Sequence, residues 1–260
     1  MQVTFLGTGT SQGVPVIGCR CAVCRSVDFR DQRLRVSVHL AVGRHSVVID
    51  AGPDFRQQML RANIGHLDAL LITHEHKDHT AGLDDIRAYN FAQNRAMPLW
   101  AEDRVLGQIR QEFAYIFAAN KYPGTPSIEQ HVITPDQPFE PLPGLPVTPV
   151  RVMHHKLPVV GFRIGDFAYV TDANAIAPRE MDKLRGSDTI VLNALRHEPH
   201  LSHFSLREAV GVLTDLAPRR AYLTHISHLL GLHREVEPTL PPFIRLAYDG
   251  LTLTLPDPLP

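Results

Sequence analysis

The feature that most constrains this chain is a short run of histidines and an aspartate that follows an apolar segment. Residues 67–73 read as a strand, and His74, His76, Asp78 and His79 follow it directly. Two histidines that are two residues apart can point to one side of a strand end. The aspartate and the last histidine can face a second ion. Imidazole and carboxylate groups bind Zn, Mn or Fe, so the run predicts two adjacent metal ions.

More ligands are needed to hold two neighbouring ions, and candidates stand at the ends of other predicted strands. Four such residues follow short apolar or β-branched segments: Asp50, His154, Asp172 and His225. Strand ends that meet along one edge bring their side chains together, so these positions support a shared site. His155 competes with its neighbour for the same role. The expected ligands are His74, His76 and His154 for one ion, Asp78, His79 and His225 for the other, and Asp172 as a bridge between them.

All three cysteines of the chain lie in one loop, at residues 18–25. Their odd number argues against a disulfide framework. Cys19, Cys21 and Cys24 are spaced Cys-x-Cys-x-x-Cys, which can supply three thiolates to one tetrahedral zinc ion. The pattern therefore predicts a structural zinc site whose fourth ligand comes from elsewhere in the chain.

The charge balance limits what the chain is expected to bind. Its formal net charge is −1 and it contains no long basic run, whereas proteins that grip long nucleic acids show a basic surface. A small substrate is therefore favoured over a long nucleic acid. No apolar run is long enough to cross a membrane, and the N-terminus lacks the basic start and apolar core of a secretory signal. These features predict a cytoplasmic protein.

Strand and helix patterns alternate without a break in composition, so we expect one domain over residues 1–260. The strands fall into two groups with helices between them. Two sheets packed face to face, with helices on both outer faces, satisfy that order and define a four-layer α/β sandwich. Ser205 and Glu208 form a capping-box pattern at the start of one helix. The helix-like ranges are 53–63, 82–93, 103–119, 178–184 and 205–216.

The order of the motifs resembles the metallo-β-lactamase superfamily over nearly the whole chain. The resemblance implies an αβ/βα sandwich with the metal site at the edge between the sheets. It also implies that Asp50 supports the metal ligands from behind, and that His154 rather than His155 is the ligand. The matching segments are Phe5-Leu6-Gly7-Thr8-Gly9-Thr10, Asp50-Ala51-Gly52, residues 73–79, His154, Thr171-Asp172 and Leu223-Thr224-His225.

Two further features narrow the resemblance to one branch. The glycine-rich opening, together with Asp78 and Asp172, looks like the phosphodiesterases that include tRNase Z. The three-cysteine loop is similar to that of the PhnP family, which implies a phosphoribosyl cyclic phosphodiesterase and favours a homodimer. In that family a histidine three residues after the last active-site ligand completes the structural zinc site, and the corresponding residue here is His228. The two active-site ions would be Zn or Mn.

The implied reaction is hydrolysis of a small phosphodiester by a metal-bridged hydroxide, with the two ions neutralising charge on the phosphate. Asp78 would orient this nucleophile as well as bind metal. His203 matches in position a histidine that assists the leaving group in tRNase Z and the cyclic phosphodiesterases. His200 and His197 are its rivals in the same loop.

Contacts to the substrate are expected from the glycine-rich loop at residues 7–13, whose backbone N–H groups can bind a phosphate. Lys156, Arg87 and Tyr89 are candidate side-chain contacts. Two other functions stay open on the sequence. A nuclease like tRNase Z would need a long basic arm, which is not visible, and a thioester or lactam hydrolase would share the same fold.

Overall fold

The structure is a computed structural model that describes residues 1–258. It contains two β-sheets packed face to face, with helices on both outer faces. The strands are Gln2–Gly7 (β1), Ser37–Val42 (β2), His45–Ile49 (β3), Ala69–Leu71 (β4), Met97–Ala101 (β5), Ile128–Val132 (β6), Phe139–Leu142 (β7), Leu145–His154 (β8), Leu157–Ile164 (β9), Phe167–Val170 (β10), Ala175–Ile176 (β11), Thr189–Asn193 (β12), Arg220–Thr224 (β13), Ile244–Leu246 (β14) and Thr252–Thr254 (β15).

The α-helices are Phe55–Arg61 (α1), Lys77–Thr80 (α2), Arg87–Gln93 (α3), Asp103–Glu112 (α4), Ala114–Phe117 (α5), Pro178–Leu184 (α6), Leu206–Leu216 (α7) and His233–Val236 (α8). Short 3-10 segments cover Phe29–Asp31, Leu83–Ile86 and Glu237–Thr239. The predicted capping box opens α7, because the Ser205 hydroxyl accepts from the Glu208 N–H and the Glu208 carboxylate accepts from the Ser205 N–H.

Each sheet combines an antiparallel part with a parallel part. Within the described residues, the first sheet has the strand order β15-β1-β2-β3-β4-β5-β6, and its strands are parallel from β3 to β6. The second has the order β11-β8-β9-β10-β12-β13-β14, with β7 paired to β8, and is parallel from β10 to β14. Because parallel strands end at the same edge, β3 and β4 end together, and so do β10 and β13.

The apolar side chains form three clusters that separate the four layers. The cluster between the sheets includes Phe5, Val38 and Phe162, all fully buried. A second cluster packs the outer face of the second sheet against α7, and a third packs the outer face of the first sheet against α1, α3 and α4. The predicted αβ/βα sandwich is confirmed by this layering.

Several element boundaries differ from the sequence prediction. The range 103–119 breaks at Phe113 into α4 and α5, and the range 82–93 begins as a 3-10 turn before α3. The sequence did not predict strands β6, β7 and β11. For β6 (Ile128–Val132) the reason is that it carries polar residues at its centre and lies at the edge of its sheet. No helix within residues 1–258 is long and apolar enough to span a bilayer.

Candidate metal centre

Three predicted site residues sit on strained backbone immediately after strands. Asp50, Asp172 and His225 have φ angles of 66°, 58° and 54°, which place them in the left-handed region. Residues with a Cβ seldom adopt this conformation, and such strain concentrates at functional sites. The turn points each side chain back into the seam between the two sheets, where the strand ends meet.

Asp50 is fully buried and organises the histidine run from behind. One carboxylate oxygen accepts a hydrogen bond from the Thr73 N–H at 2.9 Å, and the other accepts from the Thr73 hydroxyl at 2.9 Å. The second oxygen also lies 2.7 Å from Nδ1 of His79. This bond fixes the ring so that Nε2 of His79 faces the site, which is the supporting role predicted for Asp50.

The short helix α2 is docked by the segment that follows Asp50. The Ala51 N–H donates to the carbonyl of His79 at 2.8 Å. A Cβ at Gly52 would overlap the carbonyl oxygen of Asp78, so only glycine allows this approach. The Asp50-Ala51-Gly52 motif therefore sets the position of Asp78 and His79 on α2.

The first ligand group joins the two sheets. Nitrogen atoms of His74, His76 and His154 all lie within 4.8 Å of one another, and Nε2 of His74 is 3.0 Å from Nδ1 of His76. Nδ1 of His154 lies 2.8 Å from the carbonyl oxygen of Ser202, so it donates and leaves Nε2 for the site. His155 is exposed on the far side of the turn and is outside this group.

The second ligand group contains two carboxylates and two imidazoles. Ligand atoms of Asp78, His79, Asp172 and His225 lie within 4.8 Å of one another. Asp172 has one oxygen 3.3 Å from Nε2 of His79 and the other 3.1 Å from Nε2 of His225. It also belongs to a group with His154 and His203, so it borders both predicted ions, as a bridging ligand must.

Buried nitrogen atoms without partners show that this donor set fits a metal ion. Among the described residues, Nε2 of His79 and both ring nitrogens of His225 are buried and make no hydrogen bond. The nearby carboxylate oxygens are close enough but not in line with the ring nitrogens. A divalent cation would satisfy such nitrogen and carboxylate donors together, since they are the ligands that Zn and Mn accept.

The electrostatics of the second group are dominated by its carboxylates. Burial opposes a charge on His225, but Asp172 and Asp78 outweigh it and raise the pKa of His225 to about 9. Burial likewise opposes a charge on Asp172, but His225 and His79 hold the pKa of that carboxyl well below its usual range. The carboxylates are therefore ionised and attract positive charge to this group, as a cation site requires.

His203 lies against the second ligand group, and its rivals do not. Its ring is buried, with Nε2 at 3.1 Å from the Asp172 carboxylate and Nδ1 at 3.2 Å from His200. Burial lowers the pKa of His203 to about 4. His200 touches the site only through His203, whereas His197 is exposed beside α7 in a separate groove. The geometry thus favours His203 over both rivals.

The cysteine loop forms a second metal-binding arrangement. Sγ of Cys19 and of Cys21 each lie 3.4 Å from Nδ1 of His228, and all four ligand atoms, including Sγ of Cys24, lie within 4.8 Å of one another. A hydrogen bond from the Cys24 N–H is the main cause that lowers the pKa of Cys21 to about 6, which favours the thiolate. Three thiols and an imidazole at this separation fit a tetrahedral zinc ion.

Three N–H groups of the glycine-rich loop are already bonded within the protein, so a phosphate contact from the rest of this loop remains a prediction. Gly9 donates to the carbonyl of Leu34, Thr10 to that of Ile226, and Gly13 to that of Thr10. Ile226 in turn donates to the carbonyl of Thr8. The loop also holds the segment between His225 and His228 in place.

The three side chains predicted to contact the substrate differ in where they lie. Tyr89 is buried and its hydroxyl donates to the carbonyl of Ile64 at 2.7 Å, so it does not reach the metal centre. Arg87, the first residue of α3, pairs with Asp84 at 2.9 Å, and a role in substrate binding remains a prediction for it. Lys156 is exposed two residues after His154, and a role in substrate binding remains a prediction for it.

Two contacts of the site were not anticipated. The carbonyl of Ser202 orients His154, and the hydroxyl of Thr73 bonds both Asp50 and Nδ1 of His74, at 3.0 Å. The threonine could have been suspected from its place directly before the histidine run. The serine could not, because it acts through its backbone.

The fold and its two candidate ligand groups are typical of the metallo-β-lactamase class, which implies divalent metal ions. Residues 45–226 match the model of the beta-lactamase superfamily domain. A crystal structure described as a new diphosphatase from the PhnP family has 41% sequence identity and a TM-score of 0.92, and the match covers 100% of this chain and 99% of that one. This chain belongs to the beta-lactamase superfamily and, within it, to the PhnP family.

Other relatives carry different names. The chain is 42% identical over 253 residues to an octanoyltransferase from Porphyromonas gingivalis, a match that covers 96% of this chain and 51% of that protein. Zn²⁺-bound PqqB from Methylobacterium extorquens has 21% identity and a TM-score of 0.82, covers 98% of this chain and 100% of its own, and shares the fold. This chain spans about half the length of the curated relatives it matches.

Proposed function

We propose that this chain is a metal-dependent phosphodiesterase that hydrolyses a small cyclic phosphodiester, of the phosphoribosyl cyclic phosphate or cyclic nucleotide class. The position of Asp172 carries the proposal. Its carboxylate borders both ligand groups and also lies 3.1 Å from Nε2 of His203. A phosphate bound there would contact the place for two cations and the imidazole of His203 at the same time.

The ions and the residues around them have different roles in the proposed reaction. When bound, two divalent ions, Zn or Mn, would activate a water and neutralise charge on the phosphate oxygens. Asp78 and Asp172 supply the negative charge that holds them, and Asp78 can orient the attacking water. His203 would give a proton from Nε2, which faces the site, to the leaving alkoxide, provided that a bound phosphate raises the pKa of its imidazole from about 4 towards the working pH.

A linear diphosphate is the second candidate substrate class. It is favoured by the 41% identity, over the full chain, to a protein described as a diphosphatase. Both reactions need the same attack on phosphorus and differ in the leaving group. A phosphate leaves more readily than an alkoxide, so it depends less on a proton from His203.

A substrate panel tests the proposal on the purified chain with Mn²⁺ or Zn²⁺. We expect turnover of bis-p-nitrophenyl phosphate and faster turnover of phosphoribosyl cyclic phosphate or 2′,3′-cyclic nucleotides than of linear diphosphate esters. The opposite order among the natural classes would establish the diphosphatase instead. Nitrocefin, S-lactoylglutathione and precursor tRNA should be poor substrates.

The last three substrates address the remaining alternatives. S-lactoylglutathione and nitrocefin report thioester and lactam hydrolysis, and an octanoyl thioester added to the panel reports the acyl transfer raised by the name of the P. gingivalis relative. Precursor tRNA reports RNA processing. Turnover confined to any of these compounds would overturn the phosphodiesterase proposal.

A further inference from the structure

Beside the first ligand group, four charged side chains form a continuous series that we call the ion-pair chain: Glu75, Arg104, Glu102 and Arg151. Glu75 stands between His74 and His76, and its Oε1 pairs with Nη1 of Arg104. Arg104 lies in the first turn of α4. It therefore binds the loop that carries two of the three ligands of this group.

The ion-pair chain continues into the second sheet. Nη2 of Arg104 donates to the carbonyl of Pro158 in β9 at 2.7 Å and lies 3.8 Å from Oε2 of Glu102. The other oxygen of Glu102 accepts from Nη2 of Arg151 at 2.6 Å. Arg151 lies on β8, three residues before His154, so the series ends on the strand that carries the third ligand.

Among residues 1–258, few other bonds join the two sheets beside the first ligand group. His74 and His76 follow β4 in the first sheet, whereas His154 ends β8 in the second. Near the first ligand group, the backbone of the two halves meets at the hydrogen bond from the Val160 N–H to the carbonyl of Thr73, at 3.2 Å, whereas the bonds of Ile226 to the loop of Thr8 and Thr10 join the halves beside the second group. A shift of one sheet against the other would separate the imidazoles even if each half kept its own geometry.

The partial exposure of the ion-pair chain indicates that it holds the metal ligands in position rather than stabilising the whole fold. Glu102 is 8% exposed and lies between two guanidinium groups, whereas Arg104 and Arg151 are 36% and 45% exposed. Ion pairs at such exposure contribute little to the free energy of unfolding. Their directional hydrogen bonds can still fix where the groups lie, and metal sites lose affinity when their ligands are held loosely.

We propose that Arg104 is a positioning residue that sets the distance between the His74–His76 pair and His154, and thereby the affinity of this site for its ion. Arg104 also forms an ion pair with Oε1 of Glu75. The other oxygen of that carboxylate, Oε2, is buried without a hydrogen-bond partner among the described residues. Released from Arg104, this carboxylate would be free to compete for the ion. The inference rests on the proposed metal centre but not on which phosphodiester is hydrolysed.

The test compares metal binding of the full chain with Arg104→Ala, using competition with a fluorescent chelator. We expect the variant to bind one of its two active-site ions about tenfold more weakly, as when supports of metal ligands are lost elsewhere. The other active-site ion and the cysteine-bound ion should keep their affinities. Arg110→Ala is the matched control, because Arg110 lies on the same helix and pairs with Asp103 at 3.7 Å, away from the ligands.

Two further measurements separate positioning from a loss of fold. The visible spectrum of the Co²⁺-loaded protein should change in Arg104→Ala and not in Arg110→Ala, and Arg104→Lys should restore part of the affinity. If Arg104→Ala does not fold, Glu75→Gln should weaken the same site. Wild-type affinity in Arg104→Ala, or equal losses in the control, overturns the inference. Failure of the wild-type chain to bind two ions would instead overturn the proposed centre.

Discussion

At the scale of single residues, each of two site histidines is oriented by a hydrogen bond from one ring nitrogen to a protein oxygen. His79 and His154 each use one ring nitrogen on a protein oxygen, at 2.7 Å and 2.8 Å, which directs the other nitrogen into the seam. The chemistry of imidazole and carboxylate is visible in the sequence. The bonds that orient them are made by Asp50 and Ser202, and the second of these is a backbone carbonyl.

Replacement of His203 should reveal its role in protonating the leaving group. His203→Ala is expected to lower kcat by about 10²–10⁴-fold on a substrate with an alkyl leaving group, the usual contribution of a general acid. On p-nitrophenyl esters the loss should be small, because p-nitrophenolate leaves without a proton. Steady-state kinetics with both substrates provides the comparison.

His197→Ala serves as the control for this experiment, since His197 is exposed in a separate groove. Its kinetics should match the wild type with both leaving groups. Equal losses on the two substrates in His203→Ala would reject the acid role and leave a structural one.

At the scale of elements, one short segment joins the two predicted metal sites. His225 follows β13 and belongs to the two-carboxylate group, and His228 lies three residues further among the cysteines. Between them, Ile226 is paired on both sides with the loop of Thr8 and Thr10. A structural zinc would therefore also fix the position of a ligand of the active site.

Removal of one thiolate tests this connection. Cys21→Ser should lower the zinc content by one ion per chain and weaken the affinity of the active site, because the segment from His225 to His228 loses an anchor. Elemental analysis and chelator competition measure the two effects. Arg20→Ala is the control, since Arg20 is exposed between two of the cysteines. A full metal content in Cys21→Ser would remove the zinc assignment.

Strand β2 contains a histidine whose burial should make stability depend on pH. Burial lowers the pKa of His39 from its usual value of 6.5 to about 4, and its Nε2 lies 2.8 Å from the Ser46 hydroxyl. Between these values the unfolded chain binds more protons, so stability falls as the pH drops from 6.5 towards 4. The loss from pH 7 to pH 5 is about 2 kcal/mol.

His39→Gln removes this titration and should flatten the pH dependence by that amount. Urea unfolding of chelated wild type and variant at pH 7 and pH 5 measures the difference, in which the other histidines cancel. Parallel stability curves for the two proteins would contradict the prediction.

At the scale of the whole molecule, the proposed metal centre lies between two sheets that share an apolar core. Ligands from β4 and α2 in the first half face ligands from β8, β10 and β13 in the second. Bound ions would therefore join the halves as well as serve the reaction. The homodimer suggested by the family resemblance remains a prediction at this scale.

Removal of metal should destabilise the chain as a whole. A ligand that binds only the folded state at 100 times its Kd contributes about 2.7 kcal/mol. For a chain of this length, we expect the loss to lower Tm by several degrees. Thermal unfolding before chelation, after it and after Zn²⁺ is returned measures the effect. An unchanged Tm would show that the ions do not join the two halves.

The sequence by itself determined the ligand chemistry and the sandwich, because both depend on local patterns. His74, His76, Asp78 and His79 are adjacent in the chain, and the strand ends that carry Asp172 and His225 are marked by apolar runs. The four-layer order follows from the same alternation of strands and helices.

Only the tertiary structure decided the contacts between distant segments. It placed His154, which the family resemblance already favoured, in the seam, because a turn with positive φ points His155 outward. It showed that the N–H groups of Gly9 and Thr10 are already used, and it brought Arg104 between the two halves of the metal centre. Such contacts depend on strand register and on the packing of one sheet against the other, which local periodicity does not encode.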